Sequence, residues 1–160
     1  MSRKINLLFV DDEEKFLQNM ATRLSLRDFE VAAYSNGLEA LKQTEGRSFD
    51  VALLDLKMPG INGEDLMLKL KERDPLIEVV ILTGHGSIRS ATDCTRYGAF
   101  DYLLKPCEID DVIAALSSAY AKRIKAKNEA KAERVNEILA NAIGYGPVEL
   151  LKELKKIADD

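Results

Sequence analysis

With 160 residues, 46% hydrophobic and 31% charged, and a formal net charge of −4, the chain has room for one well-cored domain and a small addition. That mild acidity argues against wholesale nucleic-acid binding, and no apolar stretch is long enough to span a bilayer. Residues 1–10 are no secretory leader, because their apolar run stops at Asp11-Asp12-Glu13-Glu14; Cys94, Cys107 and the lone His85 lack zinc-ligand spacing, so a reduced, cytoplasmic setting is expected.

Ile5–Val10 reads as the first strand, closed by the acidic run. Phe16, Leu17, Met20, Leu24 and Leu26 follow at helical spacing, with acidic residues in the first turn where the helix dipole favours them. Phe29–Tyr34 is a short second strand, and Ser35-Asn36-Gly37 turns it into a helix holding Leu38, Ala40 and Leu41. Asp50–Leu54 is an apolar run bounded by turn signals, the pattern of a strand buried on both faces. It ends on Asp55, and Pro59-Gly60 turns the chain soon after. Asn62 is placed to cap a helix through Leu66 and Leu70 that ends before Asp74-Pro75.

Glu78–Thr83 is a strongly apolar fourth strand leading into Gly84-His85-Gly86. A helix from about Ser87 to Tyr97 stops at Gly98; Phe100–Leu104 is the fifth strand, followed by Lys105-Pro106, and Glu108–Tyr120 the fifth helix. Five strands alternating with five helices predict an α/β fold built on a doubly wound parallel sheet, since parallel neighbours need helical crossovers. Beyond Tyr120 the composition changes. Ala121–Arg134 is rich in Ala, Lys, Glu and Arg, good helix material with almost no apolar face. One apolar stripe follows at Val135, Ile138, Leu139, Ala142 and Ile143; Gly144-Tyr145-Gly146-Pro147 breaks it, and a second runs through Leu150, Leu151, Leu154, Ile157 and Ala158. The predicted organisation is a domain over 1–122 and a helical extension over 123–160: a long helix, a turn and a short helix begun by Pro147.

Open parallel sheets place their chemistry at the carboxyl ends of their strands. Here those ends carry Asp11 and Asp12, Asp55, Thr83 and Lys105. Taken singly, each has an ordinary explanation: a helix N-cap, a turn residue, a solvated charge. Taken together they form a set. Three carboxylates within about 4–6 Å repel by roughly several kcal/mol at an effective dielectric near 20, so the cluster must gain protons or hold a cation. Magnesium suits it, preferring hard oxygen ligands and commonly bridging one or two carboxylates to a phosphate oxygen. Aspartate is a nucleophile that forms aspartyl phosphates, and the Lys105 ammonium and the Thr83 hydroxyl are suited to the remaining phosphoryl oxygens.

The same residues resemble the response-regulator receiver domains of two-component signalling. The motifs are Val10-Asp11-Asp12-Glu13; Asp55-Leu56-Lys57-Met58-Pro59-Gly60 with Gly63; Thr83-Gly84; and Tyr102-Leu103-Leu104-Lys105-Pro106, spread over about residues 3–122. The resemblance implies a flavodoxin-like sheet of order 2-1-3-4-5 and a cis Lys105–Pro106 bond. It implies that Asp55 accepts a phosphoryl group from a histidine kinase or a phosphotransfer protein. Asp12, Asp55 and the Lys57 backbone carbonyl would bind Mg2+ directly, and Asp11 through water. Thr83 and Lys105 would bind the phosphoryl group. Thr83 would then draw towards it and Tyr102 turn inward, remodelling the face made by the fourth helix, fifth strand and fifth helix for protein contact. Lys57 and His85, two residues beyond Asp55 and Thr83, would set the lifetime of the phosphoryl group.

Turnover of its own phosphoryl group is the only catalysis the resemblance implies. An aspartyl-phosphatase would place a D-x-D pair after the first strand, which Asp11-Asp12-Glu13 does not reproduce, and a flavin protein would not place an acidic loop there. A phosphorylation-independent binding module of the same fold is the competing reading, and the intact Asp12, Asp55, Thr83 and Lys105 count against it. Thr83–Ser87 and Gly98–Tyr102 look most like receivers attached to AAA+ transcriptional activators, so the chain also reads as a fragment of a larger regulator. The two tail stripes are each too short to be stable alone and should fold against each other, the domain, or a partner, with a homodimer or a downstream signalling protein as the partner. No DNA contact is expected of the extension, because no recognition module is present, and no membrane contact.

Overall fold

The structure is a computed structural model, and it describes residues 2–160. In chain order the elements are β1 (Ile5–Val10), α1 (Glu14–Ser25), β2 (Phe29–Tyr34), α2 (Gly37–Gln43), β3 (Val51–Leu54), α3 (Gly63–Arg73), β4 (Glu78–Thr83), α4 (Ile88–Arg96), β5 (Asp101–Leu104), α5 (Ile109–Ala140) and α6 (Pro147–Asp159), with a 3-10 turn at Ala142–Gly144. All five strands are parallel, in the order β2-β1-β3-β4-β5. This is the expected flavodoxin-like topology. The chain divides into two compact units that meet in sequence at Arg123 and Ile124.

In the first unit the central strands β1, β3 and β4 are buried on both faces over most of their length, which explains their near-continuous apolar sequences, while β2 and β5 are partly exposed edges. Alternate residues point to opposite sides. Leu8, Val10, Ala52, Leu54, Val79 and Ile81 share one core layer with Leu66, Met67 and Leu70 of α3 and Cys94 of α4. Leu7, Phe9, Val51, Leu53, Val80 and Leu82 share the other with Leu17, Met20 and Leu24 of α1 and Val112, Leu116 and Ala119 of α5. Helix starts follow local chemistry: the Asn62 side chain accepts from the Asp65 N–H at 2.8 Å, as its position predicts, and Asn36 does the same for α2. Ser87 caps α4 instead of being its first residue; it accepts from the Ser90 N–H while Ser90 accepts from the Ser87 N–H, a reciprocal box.

Register positions the strand ends. Val10 lies opposite Leu54 and Thr83 opposite Leu104, so the residues that follow, Asp11, Asp55 and Lys105, leave the sheet at one rim. Two further ladder bonds carry the pairing past the strands: Asp55 N–H donates to the Val10 carbonyl at 3.0 Å, and Lys105 N–H to that of Thr83 at 2.9 Å. The Lys105–Pro106 bond is cis, as expected.

The fifth helix departs from expectation. It does not end at Tyr120 but runs unbroken to Ala140, because no Gly or Pro interrupts the sequence before Gly144. Arg123 explains part of the continuity. This residue, which apolar periodicity passes over, is buried and carries its Nη1 to 2.9 Å from Asp74 Oδ2 and its Nε to 3.7 Å from Asp50 Oδ1. In the second unit Pro147 is the first residue of α6, Ile157 is buried, and Arg134 meets Asp160 at 3.1 Å. The tail stripes are only half used: Leu139, Ile143 and Leu151 remain exposed.

Candidate functional site

The site lies at the carboxyl rim of the sheet. One carboxylate oxygen from each of Asp11, Asp12 and Asp55 falls within 4.8 Å of the others. Asp11 and Asp55 are buried and Asp12 is exposed, so the cluster opens to solvent on one side. Each buried carboxylate is fixed by a backbone donor. Asp11 Oδ1 accepts from the Glu13 N–H at 2.9 Å, and Asp55 Oδ1 from the Leu56 N–H at 2.8 Å. The second oxygen of Asp55 faces Lys105.

Lys105 reaches in from the end of β5. Its Nζ stands 2.6 Å from Asp11 Oδ2, 3.0 Å from Glu13 Oε1 and 3.7 Å from Asp55 Oδ2. The Phe16 ring lies under the ammonium, 4.2 Å from its centroid. Burial works against the ammonium, but hydrogen bonds to Asp11 and Glu13 and the charges of Asp11 and Asp55 outweigh it, so Lys105 is held above its ordinary proton affinity. For Asp11 burial dominates: its carboxyl is raised above the usual range despite the Lys105 hydrogen bond and the Glu13 N–H, with Asp55 adding repulsion. One lysine thus meets three carboxylates, those of Asp11, Glu13 and Asp55, with Asp12 a fourth in the cluster. The rim is short of positive charge.

The sequence model of the response regulator receiver domain matches residues 7–117. The chain belongs to that family. It is 33% identical over 120 residues to the regulatory protein LuxO of Vibrio cholerae, an alignment covering 75% of this chain and 26% of LuxO. With the DNA-binding transcriptional regulator NtrC of Escherichia coli it shares 30% identity over 138 residues, 86% of this chain and 29% of NtrC. The chain therefore spans under a third of these two relatives. A solved receiver domain from Clostridium thermocellum is 35% identical, with a TM-score of 0.72, covering 76% of this chain and 98% of that one.

Among the receiver residues singled out from sequence, Asp11, Asp12, Asp55 and Lys105 come together. Thr83 is buried at the neighbouring strand end, where its hydroxyl accepts from the His85 N–H at 3.1 Å. Tyr102 is half-buried, and its hydroxyl hydrogen-bonds the Ser90 Oγ of α4 at 2.7 Å. Lys57 and His85 are exposed and line one cleft of about 480 Å³ with Leu56, Asn62, Glu64 and Ser87.

Three residues contribute to the site in ways that sequence reasoning does not show, two of them (Glu13 and Gly63) standing in the quoted motifs. Glu13 closes the first motif, directly after Asp11-Asp12, but nothing in the sequence turns it towards Lys105. Phe16 was assigned to the core of α1, and nothing in helical spacing announces a ring beneath a distant lysine. Gly63 follows the helix cap, and its N–H donates to the Leu56 carbonyl at 2.8 Å; a Cβ there would collide with the Asp55 carbonyl oxygen.

Proposed function

We propose that this receiver accepts a phosphoryl group on Asp55, in the presence of Mg2+, and passes the signal on by protein contact. The observation that carries the reading is the convergence of three carboxylate oxygens within 4.8 Å, with the Lys105 ammonium 3.7 Å from Asp55 Oδ2. The donor set suits magnesium: hard oxygens only, two of the carboxylates buried and the rim net negative. Asp12 and Asp55, with the Lys57 carbonyl, are the candidate direct ligands and Asp11 a ligand through water. Bound there, the ion would neutralise charge on the transferring group.

The remaining chemistry belongs to the chain. Asp55 Oδ2 forms the new O–P bond while the P–N bond of a donor phosphohistidine breaks, and that electron pair stays on the imidazole nitrogen. Lys105 needs to move little to pair with a phosphoryl oxygen, and the Thr83 hydroxyl would turn from the His85 N–H to donate to another. Receivers interact with histidine kinases or phosphotransfer proteins, which are the donors proposed here. Tyr102 would leave Ser90 as Thr83 moves, altering the surface of α4, β5 and the start of α5 for a downstream protein or a second copy. No catalysis beyond gain and loss of this group is proposed, and the setting proposed is cytoplasmic; no helix among the described residues is long and apolar enough to cross a membrane.

A second reading is favoured by the fractions of LuxO and NtrC that the chain spans: the receiver of a longer transcriptional regulator. We propose that residues 2–160 make no DNA contact themselves; a band shift with this chain on duplex DNA at low salt would overturn that. Phosphoryl acceptance is tested by intact mass after incubation with magnesium and a small phosphodonor. One phosphoryl added to the parent and none to Asp55→Asn is expected; equal addition to both would refute the assignment.

A further inference from the structure

Resting on the reading of Asp55 as phosphoryl acceptor, we propose that Glu13 is a positioning residue that holds the Lys105 ammonium on the β1–α1 loop and competes for it with an incoming phosphoryl group. A lysine ammonium has three N–H donors. Two are engaged with the loop, at Asp11 Oδ2 (2.6 Å) and Glu13 Oε1 (3.0 Å). Asp55 Oδ2, at 3.7 Å, lies beyond hydrogen-bond reach, and the Phe16 ring closes another side at 4.2 Å. In this state the ammonium belongs to the loop more than to the acceptor.

A phosphoryl group on Asp55 replaces the single carboxylate charge with up to about two on its own oxygens, a gain of about one unit at this rim, and needs a cation. The third N–H of Lys105 is free for it, but with 3.7 Å still separating the ammonium from Asp55 Oδ2 the approach draws Lys105 off the loop and eases one of its two existing bonds. Asp11 is fully buried, so water cannot replace the lysine there, whereas the Glu13 side chain is 60% exposed and is solvated as soon as it lets go. Glu13 is therefore the partner that yields. Until it does, its charge opposes the arriving anion across the shared lysine. Glu13 sets how readily Lys105 is released, and through that how tightly the site holds a phosphoryl group.

The charge-free variant Glu13→Gln isolates the effect, because glutamine keeps the acceptor oxygen and the length. Glu14→Gln is the control: it removes the same charge one residue away, from an exposed side chain with no bond to Lys105. With magnesium present, beryllofluoride is the probe for a bound phosphoryl group. Glu13→Gln is expected to bind it roughly threefold to tenfold more tightly than the parent at low ionic strength, with the gain shrinking as salt is added. Glu14→Gln is expected to match the parent. In magnesium-free protein the Lys105 side-chain NMR signal should move in Glu13→Gln and not in Glu14→Gln. Parent affinity in Glu13→Gln, an equal gain in Glu14→Gln, or an unmoved Lys105 signal overturns the inference while leaving Asp55 as acceptor. A parent that takes up neither beryllofluoride nor a phosphoryl group overturns the acceptor reading itself.

Discussion

At the scale of single residues, the two buried carboxylates are fixed by backbone neighbours whose side chains take no part in the proposed chemistry. Backbone N–H groups of Glu13 and Leu56 aim the two buried carboxylates, leaving one oxygen of Asp55 turned to Lys105. Lys57 does its proposed work without being fixed. Its long side chain lines the cleft that also carries His85, and we propose that it covers the path by which water would attack a phosphorylated Asp55. Lys57→Ala is accordingly expected to lose its phosphoryl group about threefold faster or more, as followed by intact mass over time, because the site is less well shielded from water. Decay at the parent rate would assign Lys57 to solvent. A different residue gives a pH signature. Burial, with the Glu64 and Asp93 carboxylates nearby, pushes the Cys94 thiol from its ordinary 9.0 up to about 11. Between those values the unfolded chain has lost a proton that the native state keeps, so stability falls as pH rises from 9 towards 11. Two pKa steps correspond to at most about 3 kcal/mol. Urea unfolding across this range should show the fall in the parent and a shallower one in Cys94→Ala; parallel profiles would contradict the burial argument.

At the scale of elements, the junction of β3 with α3 decides where Asp55 points. Gly63 opens α3 directly behind the Asp55 carbonyl, and a methyl group there would strike backbone that cannot step aside. Gly63→Ala is expected to cost about 2–4 kcal/mol in urea unfolding. It should also weaken phosphoryl uptake on Asp55, since relief requires moving the loop that holds the carboxylate. Unchanged stability and uptake would show that the close approach is dispensable. Most elements were legible in sequence for a physical reason. Strands buried on both faces read as short apolar runs, and β1 and β4 have the predicted limits, as does the partly exposed edge strand β2. Their polar terminators, Asp11, Asp55, Thr83 and Lys105, named the rim before any geometry was available. The end of α5 was not legible in the same way. A helix held by a buried arginine between Asp50 and Asp74 leaves no apolar periodicity to follow. Nor could spacing reveal that Glu13 and Phe16 share Lys105, since those contacts join the end of β5 to the β1–α1 loop, 92 residues earlier at Glu13, and to the first turn of α1.

At the scale of the whole molecule, the sheet holds a charge arrangement that the fold alone would not favour. Two buried aspartates and Glu13 share one lysine at a rim that also holds the exposed Asp12, while both core layers beneath are apolar. Like charges gathered in this way lower stability unless something positive joins them, so the rim records a function and not a packing need. The account then makes one demand of the protein in solution. Calorimetric titration with magnesium, paired with thermal unfolding of the same samples, tests that demand most directly. The parent is expected to bind one ion and to unfold a few degrees higher when loaded. Asp55→Asn, relieved of one charge, is expected to be the more stable protein without magnesium and to gain little from it. No binding heat and no shift in the parent, or the same response in Asp55→Asn, would contradict the account.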